Sequence, residues 1–357
     1  MPLAPNRISR DRANYAGTLS AADIASLLED RELRILQTGT QPDLLTCRRL
    51  NESLFAQRPE LEFRVYDGGP AVCDLSFLKY MDNVRHFSAD CLERAAGIQH
   101  LASLRDLHTL AIGIGNLPDF SFLDLLPAGQ LHTLYLGKTV AAPVGRQPSL
   151  EPLCRQQGLH TLYLEGQKNG IEQIAGLPQL HDLTLRSVAL PQLDFLHGMA
   201  QLRLLDIKQC RIRDWSALGS MSRLQFLELW QIRGLADLSF MSSMTGLQNL
   251  FLQALPQVQA LPDVSRLRSL RRIYLEALPK LRDIHPLEQA PALQEFIHIA
   301  GRHWQAGDYE GLLQLPALKK ACVEFSSEKK SRAFQDLLQR HGVQHYHYTE
   351  FEFEEQA

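Results

Sequence analysis

The sequence predicts an α/β solenoid in which short parallel strands stack, coil upon coil, into one sheet. The hexapeptide LHTLYL occurs at 131–136 and again at 159–164, and a close copy, LHTLAI, occupies 107–112. The underlying pattern LxxLxL recurs nine times, at steps of 21 to 28 residues. One copy cannot bury its own apolar face, so the copies must stack against one another. The pattern begins at Leu107, Leu131, Leu159, Leu180, Leu202, Leu224, Leu247, Leu270 and Leu293.

The repeat also predicts which side chains are buried. Side chains alternate along a strand, so the fourth and sixth residues of a copy, such as Leu134 and Leu136, should face the interior. The third, fifth and seventh residues should then line the outer face of the sheet.

A period of 20 to 29 residues with this signature is typical of leucine-rich repeats. Returning segments such as IEQIAGLPQL (171–180) and LRDIHPLEQAPAL (281–293) resemble the short bacterial repeats of the internalin type, and the resemblance covers about 290 of the 357 residues. It implies a horseshoe with a parallel β-sheet on its concave side. Internalins are secreted, and the start of this chain shows no signal peptide, so the resemblance does not imply their adhesive role.

One departure from the internalin pattern concerns the turn after each strand. A ladder-forming Asn is usual there, so we expect apolar packing to replace the Asn hydrogen bonds. The residues at that position are Thr139, Gln167, Val188, Cys210, Ile232, Leu255 and Leu278.

Apolar periodicity predicts helices at both ends of the array, where exposed core needs a cap. Helices are expected over 19–30 and 42–57, with Pro42 in a first turn, and over 327–341, with Gly342 as the stop. A strand over 343–349 should follow, and the tail then either extends it or is solvated; we expect the solvated form. The predicted organisation is an N-terminal helical cap at 1–59, the solenoid at 60–325, a helix–strand cap at 326–350 and an acidic tail at 351–357. A Pro- and Gly-rich insertion at 137–158 is expected to form a convex loop.

Composition excludes several classes of function. The net charge is −3 and the pI near 6.5, which disfavours nucleic-acid and anionic-membrane partners. Six scattered cysteines without a CxxC pair indicate reduced thiols, and no segment is apolar enough to span a bilayer. We therefore expect a cytoplasmic protein without a cofactor.

The sequence contains no catalytic signature, and its histidines are the only candidates for metal chemistry. His108, His132, His160 and His181 share the second position of the repeat, where a consensus polar residue is the simpler interpretation than a metal ladder. His345 and His347 are expected to share one strand face, with Cys322 one coil back, which leaves a zinc site open as an alternative. His298 is expected in the core.

The outer sheet face carries the strongest indication of function. Of its thirty positions between Val84 and the last copy, six are aromatic, or 20%, against 8% for the whole chain. Seven positions are acidic and three basic, and Asp206 stacks beside Glu228. Lys208 and Arg186 could neutralise these carboxylates internally, or a partner could supply the cation.

These observations favour a non-enzymatic scaffold that binds a protein with a basic and apolar patch, and the scaffold could itself act as an inhibitor or immunity-type binder. A bacterial effector that is exported without a conventional signal and binds a host protein is the alternative, and a metal-dependent enzyme using the His-rich C-terminus is a third. The predicted binding residues are Tyr135, Tyr163, Arg186, Asp206, Lys208, Phe226, Glu228, Trp230, Phe251, Arg272, Tyr274 and Glu276.

Overall fold

The computed structural model describes residues 3–67, 72–91, 93–138 and 148–354. The chain divides into two compact units, Met1–Leu180 and His181–Ala357. The predicted α/β solenoid is confirmed, because each unit is built on a mostly parallel sheet whose strands are separated by short helical turns.

In unit 1, β1 and β2 form an antiparallel hairpin, and parallel pairing then runs through β2, β3, β4, β6, β8, β9 and β10. β5 and β7 form a separate parallel pair. The strands are β1 (Leu3–Ser9), β2 (Arg12–Ala16), β3 (Ile35–Thr38), β4 (Glu62–Asp67), β5 (Val72–Asp74), β6 (His86–Cys91), β7 (Arg94–Ala96), β8 (Thr109–Ile114), β9 (Thr133–Leu136) and β10 (Thr161–Glu165). The 3-10 turns are Leu75–Tyr80, Ile98–Ser103, Ser121–Leu125, Glu151–Arg155 and Ile171–Gly176.

The two helices predicted near the N-terminus are present as α1 (Ala21–Glu29) and α2 (Leu44–Arg49), which continues into a π-helical turn, Leu50–Phe55. Pro42, which we expected in the first turn, precedes α2, because Asp43 is the N-cap and its carboxylate accepts the Thr46 N–H at 2.9 Å. The expectation of a purely helical N-terminal segment was incomplete, because β1, β2 and β3 lie there too. The sequence did not predict these strands because their apolar–polar alternation is short and because the LxxLxL signature does not extend to the N-terminal segment.

In unit 2, the main sheet is parallel throughout and follows the order β11, β13, β15, β16, β17, β18, β19 and β20. A second parallel pair joins β12 to β14. The strands are β11 (Asp182–Arg186), β12 (Ala189–Leu190), β13 (Leu204–Lys208), β14 (Arg211–Ile212), β15 (Phe226–Trp230), β16 (Asn249–Gln253), β17 (Arg272–Glu276), β18 (Glu295–Ile299), β19 (Lys320–Glu324) and β20 (Gln344–His345). The 3-10 turns are Asp194–Gly198, Ser216–Ser220, Ser239–Ser243, His285–Gln289, Ala306–Tyr309 and Leu312–Gln314.

The helix predicted near the C-terminus is α3 (Glu328–His341), which ends at Gly342 with φ of 69°. That left-handed conformation is the reason for glycine at the stop. The expected strand over 343–349 is only the two residues of β20. Whether these terminal elements act as caps stays a prediction.

An aspartate begins many of the returning turns and explains the recurrent acidic residue there. Its carboxylate accepts the backbone N–H two residues later at 2.8–2.9 Å, which closes the chain into a turn without help from the next coil. The aspartates are Asp74, Asp119, Asp214, Asp237, Asp263 and Asp283.

The turn after each strand is held largely by apolar packing, as predicted, since Val188, Ile232, Leu255 and Leu278 are buried. Gln167 is an exception, because its buried amide donates to the Gly137 carbonyl at 2.8 Å. Thr139 lies outside the described residues, as does much of the predicted 137–158 loop.

We expect Leu205→Ala to lower the free energy of unfolding by about 2–5 kcal/mol, because its side chain is fully buried and leaves a cavity. Denaturant titration measures the change. The matched control is the neighbouring Leu204→Ala, whose side chain lies on the outer sheet face and should cost about 1 kcal/mol or less. Equal losses for the two variants would contradict the assignment of faces.

His298 is a core histidine, as expected, and predicts a pH dependence of stability. Its Nδ1 lies 2.9 Å from the Tyr309 hydroxyl, and burial, aided by nearby His303, lowers its pKa from 6.5 to about 4. Between these values the unfolded chain binds a proton that the folded chain does not, so stability falls on acidification.

At pH 5 the loss relative to neutral pH should be roughly 2 kcal/mol from this group, and His298→Gln should remove it. Unfolding titrations from pH 7.5 to 5 measure both. As a control, His285→Gln alters an exposed histidine whose pKa is raised by Asp283, and it should not flatten the acid-side loss. An unchanged pH profile in His298→Gln would refute the assignment.

Candidate protein-binding surface

The outer face of the unit 2 sheet brings ten of the twelve predicted binding residues together. Because the parallel strands pair in register, residues at the same repeat position form straight columns across the sheet. The third-position column contains Asp182, Leu204, Phe226, Asn249, Arg272, Glu295 and Lys320. The fifth-position column contains Thr184, Asp206, Glu228, Phe251, Tyr274, Ile297 and Cys322. The seventh-position column contains Arg186, Lys208, Trp230, Gln253, Glu276, Ile299 and Glu324.

The other two predicted residues, Tyr135 and Tyr163, lie in unit 1 at the fifth position of adjacent strands. Their ring centroids are 5.9 Å apart, and Tyr135 is 40% exposed. The Tyr163 hydroxyl donates to Glu165 at 3.4 Å. Both rings therefore occupy the outer sheet face of unit 1, as the repeat frame predicts.

Aromatic side chains in unit 2 form a preorganised flat surface. The rings of Phe251 and Tyr274 are stacked, with centroids 4.3 Å apart and planes at 6°. The Tyr274 hydroxyl donates to Glu276 at 2.7 Å, and burial together with that carboxylate raises the pKa of the phenol. Trp230 lies one column over, with the Arg186 guanidinium 5.9 Å from its ring centroid. Held rings lose little entropy on binding, which suits them to anchor a partner.

Lys208 provides the internal neutralisation that the sequence left open. Its Nζ lies 3.2 Å from Asp206 and 2.9 Å from Glu228, on the next strand. Burial disfavours its charge, but the two carboxylates outweigh that effect and raise its pKa. Burial and the charge of Asp206 raise the pKa of Glu228 even beside Lys208.

Asp182 adds a third carboxylate to this cluster. Burial, reinforced by repulsion from Asp206, raises its pKa to about 6, despite the opposing charge of Lys208. Three carboxyl groups thus share the single ammonium group of Lys208. This excess is costly in the free protein and attractive to a cation.

Phe351–Glu354 do not extend the strand, and Glu352, Phe353 and Glu354 are exposed, as expected for a solvated tail. The backbone of this segment is nevertheless hydrogen-bonded to unit 2. This segment lies against the side of the unit 2 sheet at the third-position column, without strand pairing. Arg271, Arg272 and Gln248 donate hydrogen bonds to backbone carbonyls of the C-terminal segment. The two guanidinium groups also contact the Phe351 ring, an interaction that water cannot provide. As a result Arg272, predicted to be an exposed binding residue, is only 8% exposed. Residues 355–357 lie outside the described residues.

The sequence did not predict that Gln225 and Gln248 donate to the Glu354 carbonyl, at 3.4 and 2.7 Å, or that Arg271 donates to the Glu352 carbonyl. All three residues occupy the second repeat position, outside the sheet face that the repeat pattern singled out. The alternation of Phe and Glu over 350–354 was the available signal.

A groove of about 880 Å³ was also missed. It follows the turns after the strands of unit 2 and is lined by Gln209, Gln231, Arg211, Arg233 and Glu276, among others. The Gln209 amide donates to Gln231 at 2.6 Å, and both residues have positive φ, which only the folded turn reveals.

The histidines of unit 1 stack in the second repeat position. The centroids of His108 and His132 are 5.0 Å apart, and those of His132 and His160 are 5.1 Å apart. Burial and the neighbouring imidazoles lower the pKa of His132. Within the part of the chain that the structure describes, no cluster of three metal-ligating side chains occurs.

The placement of His345 and His347 beside Cys322 was wrong. β20 ends at His345, which pairs with Ala321 rather than Cys322, and His347 lies beyond the strand. The predicted strand was too long because the chain turns away toward Arg272.

No family model matches the sequence, and no curated protein matches it. Solved structures are similar in fold. An internalin (inlF) from Listeria monocytogenes has a TM-score of 0.56 at 20% identity, over 89% of this chain and 87% of that one. A leucine-rich repeat protein of Leptospira interrogans has a TM-score of 0.46 at 14% identity, over 90% of this chain and 91% of that one. An internalin C2 from L. monocytogenes has a TM-score of 0.38 at 20% identity, over 64% of this chain and 84% of that one.

The LxxLxL repeat, the in-register parallel strands and the structural similarity to inlF together define a protein with the leucine-rich repeat fold. Within that class, its fold is similar to that of the Listeria internalin inlF. No helix in the described ranges is both long and apolar enough to cross a membrane.

Asp182→Asn should raise the free energy of unfolding at pH 7.5 by about 1–2 kcal/mol, after allowance for solvent screening. The raised pKa means that the folded state holds its proton up to about pH 6, whereas the unfolded state loses it near 3.8. Stability from this group is therefore present below pH 3.8 and lost as pH rises through 6.

The gain should shrink as unfolding is measured at lower pH, toward 4. Asp214→Asn is the matched control, because Asp214 is an exposed turn residue whose pKa is lowered, and it should not show that profile. Destabilisation by Asp182→Asn at pH 7.5 would contradict the repulsive cluster.

Proposed function

We propose that the chain is a non-enzymatic scaffold that binds a protein partner on the outer face of the unit 2 sheet. The observation that carries the proposal is the stacked pair of Phe251 and Tyr274, with Trp230 in the next column, beside an under-neutralised carboxylate cluster. Aromatic residues with fixed rings are the commonest interface anchors. The fold supports binding in general, because a stacked sheet holds such a surface rigid.

The partner should present a basic residue next to an apolar anchor. Asp182, Asp206 and Glu228 share one internal cation, Lys208, so a second cation would relieve their repulsion. The stacked Phe251 and Tyr274 rings offer the apolar contact on adjacent strands. A phosphate backbone would meet the same carboxylates, which argues against nucleic acid.

A reducing compartment, as in the cytoplasm, agrees with this proposal. The buried thiols Cys47, Cys210 and Cys322 form no disulfide, and burial raises the pKa of each. Thiols held protonated in the core react slowly.

Trp230→Ala should weaken partner binding by about 30-fold or more, the loss typical of a central aromatic anchor, while leaving the thermal midpoint nearly unchanged. Affinity capture from source-cell lysate identifies the partner, and titration with that purified partner gives the affinity. Leu125→Ala is the matched control, because it removes an apolar side chain that is 52% exposed in unit 1.

A second variant, Asp182→Asn, tests the charge. It should weaken binding to a basic partner and make that binding less dependent on pH between 5 and 7. Full affinity in both Trp230→Ala and Asp182→Asn would refute this surface as the binding site.

A further inference from the structure

The segment Tyr346–Glu354 passes over three consecutive strands of unit 2 and is recognised through its backbone. Thr349 lies at Arg272, whose Nη2 donates to the Thr349 carbonyl at 3.1 Å. Arg271 Nη2 donates to the Glu352 carbonyl at 2.6 Å. The Gln248 amide is doubly engaged with Glu354, donating to its carbonyl at 2.7 Å and accepting its N–H at 2.9 Å. Because these hydrogen bonds go to backbone groups, they hold the segment in place independently of its side chains.

Side chains add a specific chemistry to that backbone docking. The Phe351 ring lies 5.0 Å from the Arg271 guanidinium and 4.9 Å from that of Arg272, both within cation–π range. Phe353 packs edge-on against Phe226, at 6.5 Å and 86°. The Glu354 carboxylate pairs with Arg271 at 2.9 Å. The surface therefore selects aromatic residues at alternate positions followed by an acid.

The docked segment fills this surface incompletely. A cavity of about 270 Å³ remains beneath it, lined by residues that include Arg272, Glu295 and Lys320. Phe353 is still 41% exposed, and the Nε of Arg271 is buried without a hydrogen-bond partner. A partly filled cavity beside an unsatisfied buried N–H favours displacement of the segment by a ligand that fills the cavity and accepts that hydrogen bond.

We propose that Gln225, Gln248, Arg271, Arg272 and Phe226 form a binding site for an extended acidic–aromatic segment of a protein partner. The chain's own residues 346–354 occupy this site as an intramolecular competitor. The partner segment carries the pattern aromatic–x–aromatic–acid, because that is the pattern the site already holds.

This site is separate from the proposed anchor surface. It uses the second- and third-position residues, whereas Trp230, Phe251 and Tyr274 lie in the fifth and seventh columns. It also attracts acids, whereas the carboxylate cluster attracts bases. The inference therefore does not depend on the proposed function, and either can fail alone.

Tethering determines how the competition should appear. Only a few residues separate β20 from Thr349, so the segment meets its site at an effective concentration on the order of millimolar. A free peptide at micromolar concentration should then bind poorly to the wild-type chain. It should bind well once the Phe351 and Phe353 rings of the chain's own segment are removed.

The test is a titration of the full-length double variant Phe351→Ala, Phe353→Ala with a fluorescent peptide, YTEFEFE, copied from 348–354. Anisotropy should show saturable binding, at least 10-fold tighter than to the wild-type chain. Adding Arg271→Gln to the variant should weaken it at least 10-fold, whereas the matched control Arg268→Gln should not. A peptide with both Phe replaced by Ala should not compete.

Circular dichroism and thermal melting establish that each variant is folded. If the double variant does not fold, a variant lacking 349–357 replaces it. Three results would overturn the proposal. The peptide binds the wild-type chain as tightly as the Phe351→Ala, Phe353→Ala variant, or it shows no saturable binding to that variant when the variant is folded. The third is that adding Arg271→Gln leaves the peptide affinity unchanged.

Discussion

A single coil of this protein cannot bury its own leucines, and the rest of the structure depends on that constraint. Leu183, Leu205 and Leu227 are fully buried only because the coils stack in register. The register of these strands also fixes the neighbours of the residues that alternate with the leucines. Every side chain at an odd repeat position must stand beside its equivalents on the neighbouring strands, whatever its charge.

The electrostatics of the outer face follow from this enforced stacking. Asp206 and Glu228 are neighbours because Leu205 and Leu227 are, and Lys208 bridges them at a cost in buried charge. Glu295 is similarly held between Arg272 and Lys320. Asp182 is partly buried next to Asp206, and burial, followed by repulsion from Asp206, raises its pKa. Such uncompensated charge lowers stability, and in a binding protein it is available to a partner.

The unit 2 sheet presents two regions of opposite charge character. Carboxylates predominate around Asp182, Asp206 and Glu228, whereas Gln225, Gln248, Arg271 and Arg272 place amide and guanidinium donors along the second and third columns. The C-terminal segment discriminates between them, since its acidic and aromatic residues contact Arg271 and Arg272 rather than Trp230. The two proposed binding sites therefore differ in the charge of the ligand that each would accept.

The sequence by itself determined the repeat, the inward leucines, the outward rings and the ends of α3, because each depends on local periodicity or on one residue such as Gly342. It also placed Asp206 beside Glu228, since a constant period implies register. It did not determine that Lys208 neutralises both carboxylates, because a flexible side chain has several partners within reach. Only the tertiary structure decided that Phe351 contacts Arg272, some eighty positions earlier, since that contact follows from the turn after β20 and has no period to reveal it.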